Sequence, residues 1–154
     1  MSIRLSPEEA WQTLAEAHTG IFTTLRRDGM PIALPVWFVT IDRTVCLAAP
    51  SRTKKIARLR RDPRASFLVE SGEPWVELKA VHLTGTVRLL DVAEDRELIE
   101  QIDHALDVKY AAFRGPQAAM PQKTQDYYAA RTFMQMIPDA RVLTWDNSRM
   151  PLKN

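Results

Sequence analysis

The strongest structural constraint in the sequence is a pair of β-rich runs on either side of the dipeptide Asp28-Gly29. The runs read IFTTL and PIALPVWF, and branched and aromatic residues of this kind favour extended strands. Asp-Gly between two such runs is typical of a type I′ turn, in which both central residues have positive φ. The sequence therefore predicts an antiparallel hairpin over residues 21–38.

Further short elements follow this hairpin. A turn at IDRT leads to the strand VCLAA, so we expect a meander of three antiparallel strands that ends at Pro50. Later strands are predicted at ASFLVE, WVELKAVHLTGTVRLL, RTFMQMI and RVLTW, and Gly85 indicates a β-bulge. A capping box at Ser6 and Glu9 opens a first helix, a short helix follows Pro50, and residues 91–110 form an amphipathic helix capped by Asp91.

The order of these elements determines the predicted fold class. Six or seven short strands and two or three helices, without βαβ alternation, favour a mainly β fold, an antiparallel barrel or sandwich with helices packed outside. A length of 154 residues with 45% hydrophobic content fits one domain over residues 1–154.

Cysteine content and hydropathy predict the compartment. The single cysteine, Cys46, excludes an internal disulfide framework and suits a reducing cytosol. The first residues, MSIRLSPEEAW, lack the apolar core of a signal peptide, and no apolar run approaches the ~18 residues of a membrane span. We expect a soluble cytoplasmic protein that does not bind membranes.

Positive charge is concentrated in the segment PSRTKKIARLRRDPRA, residues 50–65. Seven Lys or Arg residues lie between Arg52 and Arg64, and Asp62 is the only acid among them. The net charge of the whole chain is only +2, so the basic charge is local. Proteins that coat nucleic acid usually spread basic charge over a face or a tail, and this segment lacks interleaved aromatic residues. We therefore expect no nucleic-acid partner.

The basic segment begins at the N-terminus of the predicted short helix. Cations such as Lys54 and Lys55 cost a few tenths of a kcal/mol there, because the helix dipole already presents positive charge. A bound anion reverses the sign, and Ser51 and Thr53 add hydroxyl donors, so the segment is a candidate phosphate site. The alternative is a solvated lysine-rich helix surface, and the local sequence leaves both open. The P-loop pattern is absent.

The order and spacing of these motifs resemble the pyridoxamine-5′-phosphate-oxidase-like family of flavin- and deazaflavin-binding split β-barrels. The resemblance covers about residues 8–146 and depends on four short motifs. These are PVWF at 35–38, the Ser/Thr and Lys/Arg segment after Pro50, LRRDPR at 59–64 and RVLTWD at 141–146. It implies an antiparallel split β-barrel of six or seven strands with two or three outer helices.

The resemblance also implies a homodimer with two cofactor sites, each built across the subunit interface. The phosphate would be held by Ser51, Arg52, Thr53 and Lys55, with Arg58 nearby, where many relatives carry an Asn. The ring would lie against Pro35, Val36, Trp37 and Phe38. Trp75 and the strands around Arg141 and Trp145 would come from the partner subunit.

The implied function is an oxidoreductase that transfers hydride or electrons from FMN or the deazaflavin coenzyme F420 to a small organic acceptor. The surplus of basic side chains slightly favours the acidic tail of F420, although no residue excludes either cofactor. Two alternatives stay open: a flavin-binding carrier, sensor or storage protein without turnover, and pyridoxamine phosphate oxidase-type activity. The second is disfavoured because the C-terminal Arg-x-x-Pro-type segment is absent. No side chain is required as a catalytic acid or base, and no His/Cys spacing indicates a metal site.

Overall fold

The computed structural model of the chain describes residues 2–151. Its strands are β1 Gly20–Leu25, β2 Pro31–Val36, β3 Val39–Ile41, β4 Thr44–Pro50, β5 Arg64–Ser71, β6 Lys79–Leu89, β7 Arg131–Pro138 and β8 Leu143–Asp146. Its α-helices are α1 Pro7–Glu16, α2 Lys54–Arg61, α3 Arg96–Tyr110 and α4 Gln122–Ala129. Within the described residues, no helix is long and apolar enough to cross a membrane.

All eight strands belong to one antiparallel sheet with the order β2-β1-β5-β6-β7-β4-β3, and β8 pairs with β6. The long strand β6 joins the two halves: β5 pairs along one edge, while β8 and β7 share the other. The sheet curls into a half-barrel with helices outside it. This confirms the predicted mainly β split-barrel fold, with one more strand and one more helix than expected.

The predicted hairpin exists, but the type I′ turn at Asp28-Gly29 is wrong. Leu25 pairs with Pro31, and the Gly29 N–H donates to the Arg26 carbonyl at 2.9 Å. Among the loop residues 26–30, only Gly29 has a positive φ, at 84°. The Asp28 carboxylate accepts the Met30 N–H, and the Asp28 backbone does not adopt a positive φ. The loop is therefore a type I turn followed by a glycine in the left-handed region.

Consecutive positive φ angles occur instead at Asp42 and Arg43, with values of 47° and 55°, in the turn between β3 and β4. The predicted three-stranded meander is also wrong, since β2 and β3 lie at opposite ends of the strand order. The physical reason is Phe38. Its ring is fully buried and packs edge-on against Phe67 at 4.7 Å, so the chain crosses through the core instead of folding back.

Gly85 does not form a bulge. It pairs in regular register with Ala65 on one side and Pro138 on the other. A Cβ atom at this position would lie 2.2 Å from the carbonyl oxygen of Ile137. The glycine is therefore required by the close approach of the β7 backbone.

Two apolar clusters stabilise the fold. The first fills the barrel and includes Phe22, Phe38 and Phe67. The second lies between α3 and the β3–β4 hairpin, and Tyr110 at the end of α3 is fully buried in it. This packing places the C-terminal half of α3 beside β4, where the chain approaches the basic segment.

The predicted helix starts have mixed outcomes. The capping box is confirmed, because the Ser6 hydroxyl accepts the Glu9 N–H at 3.2 Å and the Glu9 carboxylate accepts the Ser6 N–H at 2.8 Å. Asp91 does not cap α3, which begins five residues later at Arg96. The Asp91 carboxylate instead accepts the N–H groups of Ala93 and Glu94 and closes a separate turn.

Candidate functional site

The basic segment begins at a fixed junction between two strands. The Ser51 N–H donates to the Ala130 carbonyl at 2.8 Å, and the Thr132 hydroxyl donates to the Ser51 hydroxyl at 2.9 Å. The short helix α2 is then held in place by Ile56 and Leu59, which are both buried. As a result, the first turn of α2 sits next to the end of β4 and the start of β7.

Two polar groups, one at the start of α2 and one in its last turn, have no acceptor within the described residues. The Thr53 hydroxyl and one terminal nitrogen of Arg58, Nη1, are buried without a hydrogen-bond partner. No carboxylate of residues 2–151 lies within ion-pair distance of Lys55 or Arg58. Burial, and then the positive charge of Arg58, lowers the pKa of the half-buried Lys55.

This arrangement fits an anion. A buried donor without a partner costs about 1–3 kcal/mol, and two neighbouring cations repel each other. A phosphate group would accept the Thr53 hydroxyl and the Arg58 N–H and would neutralise Lys55. The residues present therefore match the donor set that a phosphate requires.

The other cations of the segment divide into two groups. Arg61 donates to the Leu25 carbonyl at 2.9 Å, and Arg64 pairs with Asp62 at 2.8 Å, so both have structural partners. Arg52, Lys54 and Arg60 are exposed. These three side chains are therefore accessible to a ligand.

An open pocket of about 810 Å³ lies next to this junction, between β4, α3 and residues 111–130. Trp37 forms one wall and is 42% exposed. Ala48, Ala49 and Pro50 at the end of β4 line the pocket together with Trp37 and lead to Ser51. The pocket thus ends where the phosphate-type donor set begins.

The opposite wall combines ion pairs with polar and apolar side chains. Arg131 pairs with Asp103 at 3.0 Å, and Arg114 pairs with Asp107 at 2.8 Å, which ties the segment after α3 and the start of β7 to α3. The remaining wall residues are Leu106, Gly115, Gln117, Met120, Gln122, Gln125, Asp126, Tyr128 and Ala129. A planar ligand with polar edges is compatible with this surface.

Comparison with known proteins now assigns the family. The sequence profile of the family described as pyridoxamine 5′-phosphate oxidase matches residues 6–143. The chain belongs to the pyridoxamine 5′-phosphate oxidase family. This confirms the resemblance inferred from the sequence motifs. No curated protein matches the sequence.

Solved structures of similar fold extend the comparison. A conserved hypothetical protein of Mycobacterium tuberculosis superimposes with a TM-score of 0.81 at 24% identity, covering 99% of this chain and 92% of its own. An FAD-binding protein of Mesorhizobium loti gives 0.70 at 20% identity, covering 91% and 94%. The haem storage protein HutZ of Vibrio cholerae gives 0.69 at 13% identity, covering 94% and 96%. At these identities the likeness establishes a shared fold.

Not every predicted site residue lies at the pocket of this pyridoxamine 5′-phosphate oxidase family member. Pro35 and Val36 end β2 just before Trp37, and the ring of Phe38 points into the core. Trp75 lies in the β5–β6 connection, is 60% exposed, and its carbonyl accepts the Asn147 side-chain amide at 2.7 Å. The roles of these residues, and of Arg52, stay predictions, as does the assignment of Trp75 to a partner subunit.

The far wall of the pocket in this family member has no counterpart among the predicted elements. No helix is predicted from the sequence after residue 110, but α4 begins at Gln122. No residue of α4 is buried, so there is no apolar periodicity to indicate a helix. The one usable signal was Pro121 directly before Gln122 and Lys123, because Pro is favoured at helix starts.

Proposed function

We propose that this member of the pyridoxamine 5′-phosphate oxidase family is an oxidoreductase that binds a phosphate-bearing flavin or deazaflavin, FMN or coenzyme F420. It would use that cofactor to reduce a small organic acceptor. One observation carries the proposal: the Thr53 hydroxyl and the Arg58 Nη1 are buried donors without a partner within residues 2–151, close to the charge of Lys55 and next to an open pocket lined by Trp37.

Each part of the chain has a distinct role in this proposal. Ser51, Thr53, Lys55 and Arg58 would hold the phosphate, and Trp37 would present its free face to the ring. The bound cofactor supplies hydride or electron transfer. The protein orients the ring, and the segment after α3 limits access of water to it.

The exposed cations support the deazaflavin more than FMN. FMN ends in one phosphate, whereas the tail of F420 continues into several carboxylates. Arg52, Lys54 and Arg60 are exposed cations of the same segment and would be accessible to such a tail. Exposed ion pairs are weak, so these cations would add modest affinity for F420 and little for FMN.

We also propose a homodimer in which a second copy completes the pocket. The edge strand β2 and the turn before it expose apolar side chains, with Met30 at 53% and Leu34 at 42%. Exposed apolar residues on an edge strand are typical of a surface that pairs with another chain. Trp75, at 60% exposure, is a further apolar side chain available to a partner.

The first experiment measures cofactor affinity by fluorescence titration with FMN and, separately, F420. Lys55→Ala should weaken binding at least tenfold, because a hydrogen bond to a charged group contributes about 1.5–3 kcal/mol. Lys54→Ala is the matched control, since it removes an exposed cation from the same turn, and it should change FMN affinity less than threefold. Absence of binding, or equal effects of both variants, would overturn the phosphate site.

The second experiment separates the enzyme from a carrier. The reduced cofactor bound to the protein is mixed with an enone, a quinone or a nitroaromatic compound, and its reoxidation is followed by absorbance. An oxidoreductase speeds reoxidation by at least one of these acceptors relative to free reduced cofactor. A carrier or storage protein binds the cofactor equally well and accelerates none of them.

A further inference from the structure

The face of Trp37 that points away from the pocket is covered by Tyr110. The two rings are stacked, with centroids 4.4 Å apart and planes inclined by 7°. Tyr110 is fully buried and does not line the pocket, whereas Trp37 does. The phenol is therefore a backing layer behind the exposed indole.

The hydroxyl of Tyr110 binds the backbone next to Trp37. The Phe38 N–H donates to the Tyr110 oxygen at 2.9 Å. The same hydroxyl lies 2.8 Å from the Phe38 carbonyl and 2.9 Å from the His18 carbonyl, and it donates its single proton to one of them. The Tyr110 hydroxyl thus accepts the N–H of the residue that follows Trp37 and lies within hydrogen-bond distance of its carbonyl.

Lys109 supports the same link from the neighbouring position on α3. Its ammonium donates to the Phe38 carbonyl at 3.0 Å and lies 4.1 Å from the centroid of the Phe38 ring. The link between β2 and β3 is therefore held by two consecutive side chains of α3, far from it in sequence.

We propose that Tyr110 is a positioning residue that fixes the plane of Trp37 for a planar conjugated ligand. This inference rests on the proposed function for the identity of that ligand. Tyr110 touches no ligand itself. A platform that is already fixed loses less conformational freedom on binding, so its rigidity contributes to affinity for the ring. The phosphate donors near Lys55 belong to another element and do not depend on Tyr110.

The test compares riboflavin with FMN, because riboflavin carries the same ring without the phosphate. Tyr110→Phe keeps the stacked ring and removes the hydroxyl. It should weaken riboflavin and FMN by the same factor, about 2- to 10-fold, because the more mobile Trp37 side chain has to be ordered on binding. Lys55→Ala should weaken FMN only. Tyr127→Phe, which removes an exposed hydroxyl on α4, is the matched control and should change neither affinity.

A second readout needs no ligand. In a background with Trp11→Phe, Trp75→Phe and Trp145→Phe, Trp37 is the only indole, and its fluorescence anisotropy reports its mobility. Tyr110→Phe should lower this anisotropy. Lys109→Met removes only the second donor to Phe38 and should lower it by a smaller amount. If Tyr110→Phe does not fold, the Lys109→Met comparison decides.

The outcomes separate this inference from the proposed function. If Tyr110→Phe leaves the Trp37 anisotropy unchanged, the positioning role is overturned whether or not flavins bind. If Tyr110→Phe does not fold, an unchanged anisotropy in Lys109→Met overturns it. If anisotropy falls but wild-type protein binds neither flavin nor F420, the proposed function fails while Tyr110 still fixes Trp37. A loss of FMN affinity without a matching loss for riboflavin would also overturn the positioning role.

Discussion

The Thr132 hydroxyl donates a hydrogen bond of 2.9 Å to the Ser51 hydroxyl, and this contact joins β7 to the segment that enters α2. Because the Ser51 oxygen accepts this bond, the Ser51 proton is free to be donated to another group. Arg131, the residue before Thr132, lines the pocket. The donor set and the pocket are thus connected through two adjacent residues of one strand.

Removing this contact should weaken phosphate binding without removing a phosphate ligand. We expect Thr132→Val to lower FMN affinity by about fivefold, the equivalent of one neutral hydrogen bond of roughly 1 kcal/mol. Riboflavin affinity should not change. Ser51→Ala should cost more, because it removes the donor itself. Thr86→Val, at an exposed position on β6, is the control for the substitution. FMN affinity equal to wild type in Thr132→Val would contradict this account.

Sequence reasoning succeeded where the determining interactions are local. The capping box at Ser6 and the short helix after Pro50 depend on neighbours close in sequence. The path of the chain at Phe38 was missed because it depends on Tyr110, 72 residues later. The turn at Asp28-Gly29 was assigned the wrong type because a local carboxylate contact, which sequence propensity does not weigh, stabilises the alternative.

The candidate site was predictable to a similar extent. Clustered charge and hydroxyls at Ser51 to Arg58 indicated an anion site, because these residues are contiguous. The opposite wall comes from α3 and from residues 111–130, which carry no pattern that links them to Trp37. Sequence spacing alone does not reveal that Arg131 and Asp103 pair with each other in this wall.

Gly85 should be intolerant of any side chain. Gly85→Ala would place a methyl group 2.2 Å from the Ile137 backbone oxygen, and backbone on both sides of β6 resists a shift. We expect a loss of several kcal/mol in the free energy of unfolding, in the range of severe core substitutions. Urea denaturation measures this loss. Gly115→Ala is the matched control, because nothing lies within 4 Å of its added methyl group. Equal stability of the two variants would contradict the close-approach explanation.

The ion pair between Arg149 and Glu9 should make α1 sensitive to acid. Hydrogen bonds from Arg149, followed by the Ser6 N–H, lower the pKa of Glu9 to about 2 from 4.5. The folded-state pKa lies below the unfolded value, so the stabilisation is present above pH ~4.5 and is lost as the pH falls towards 2. Arg149→Gln should therefore lower the free energy of unfolding at pH 7 and have little effect near pH 2.

Urea denaturation at pH 7, 4 and 2.5 measures this dependence. Arg43→Gln is the comparison variant, since Arg43 pairs with Glu8 at the same helix end with both side chains mostly exposed. Exposed pairs contribute little, so its effect should be smaller at pH 7. A constant effect of Arg149→Gln over this pH range would contradict the assignment.

Lys109 should make the stability of the protein rise in mildly alkaline solution. Burial lowers the pKa of Lys109 to about 8 from 10.5. Between these two values the unfolded chain holds a proton that the folded chain has released, so the free energy of unfolding increases with pH. Below pH 8 the ammonium is charged in both states and its burial remains a cost.

Lys109→Met lacks this titration, so wild type should gain stability relative to the variant between pH 8 and pH 10. Urea denaturation at pH 7, 8, 9 and 10 measures the difference, and Lys123→Met, at an exposed position on α4, should show none. Parallel curves for wild type and Lys109→Met would mean that the contacts with the Phe38 ring and carbonyl offset the desolvation of the ammonium.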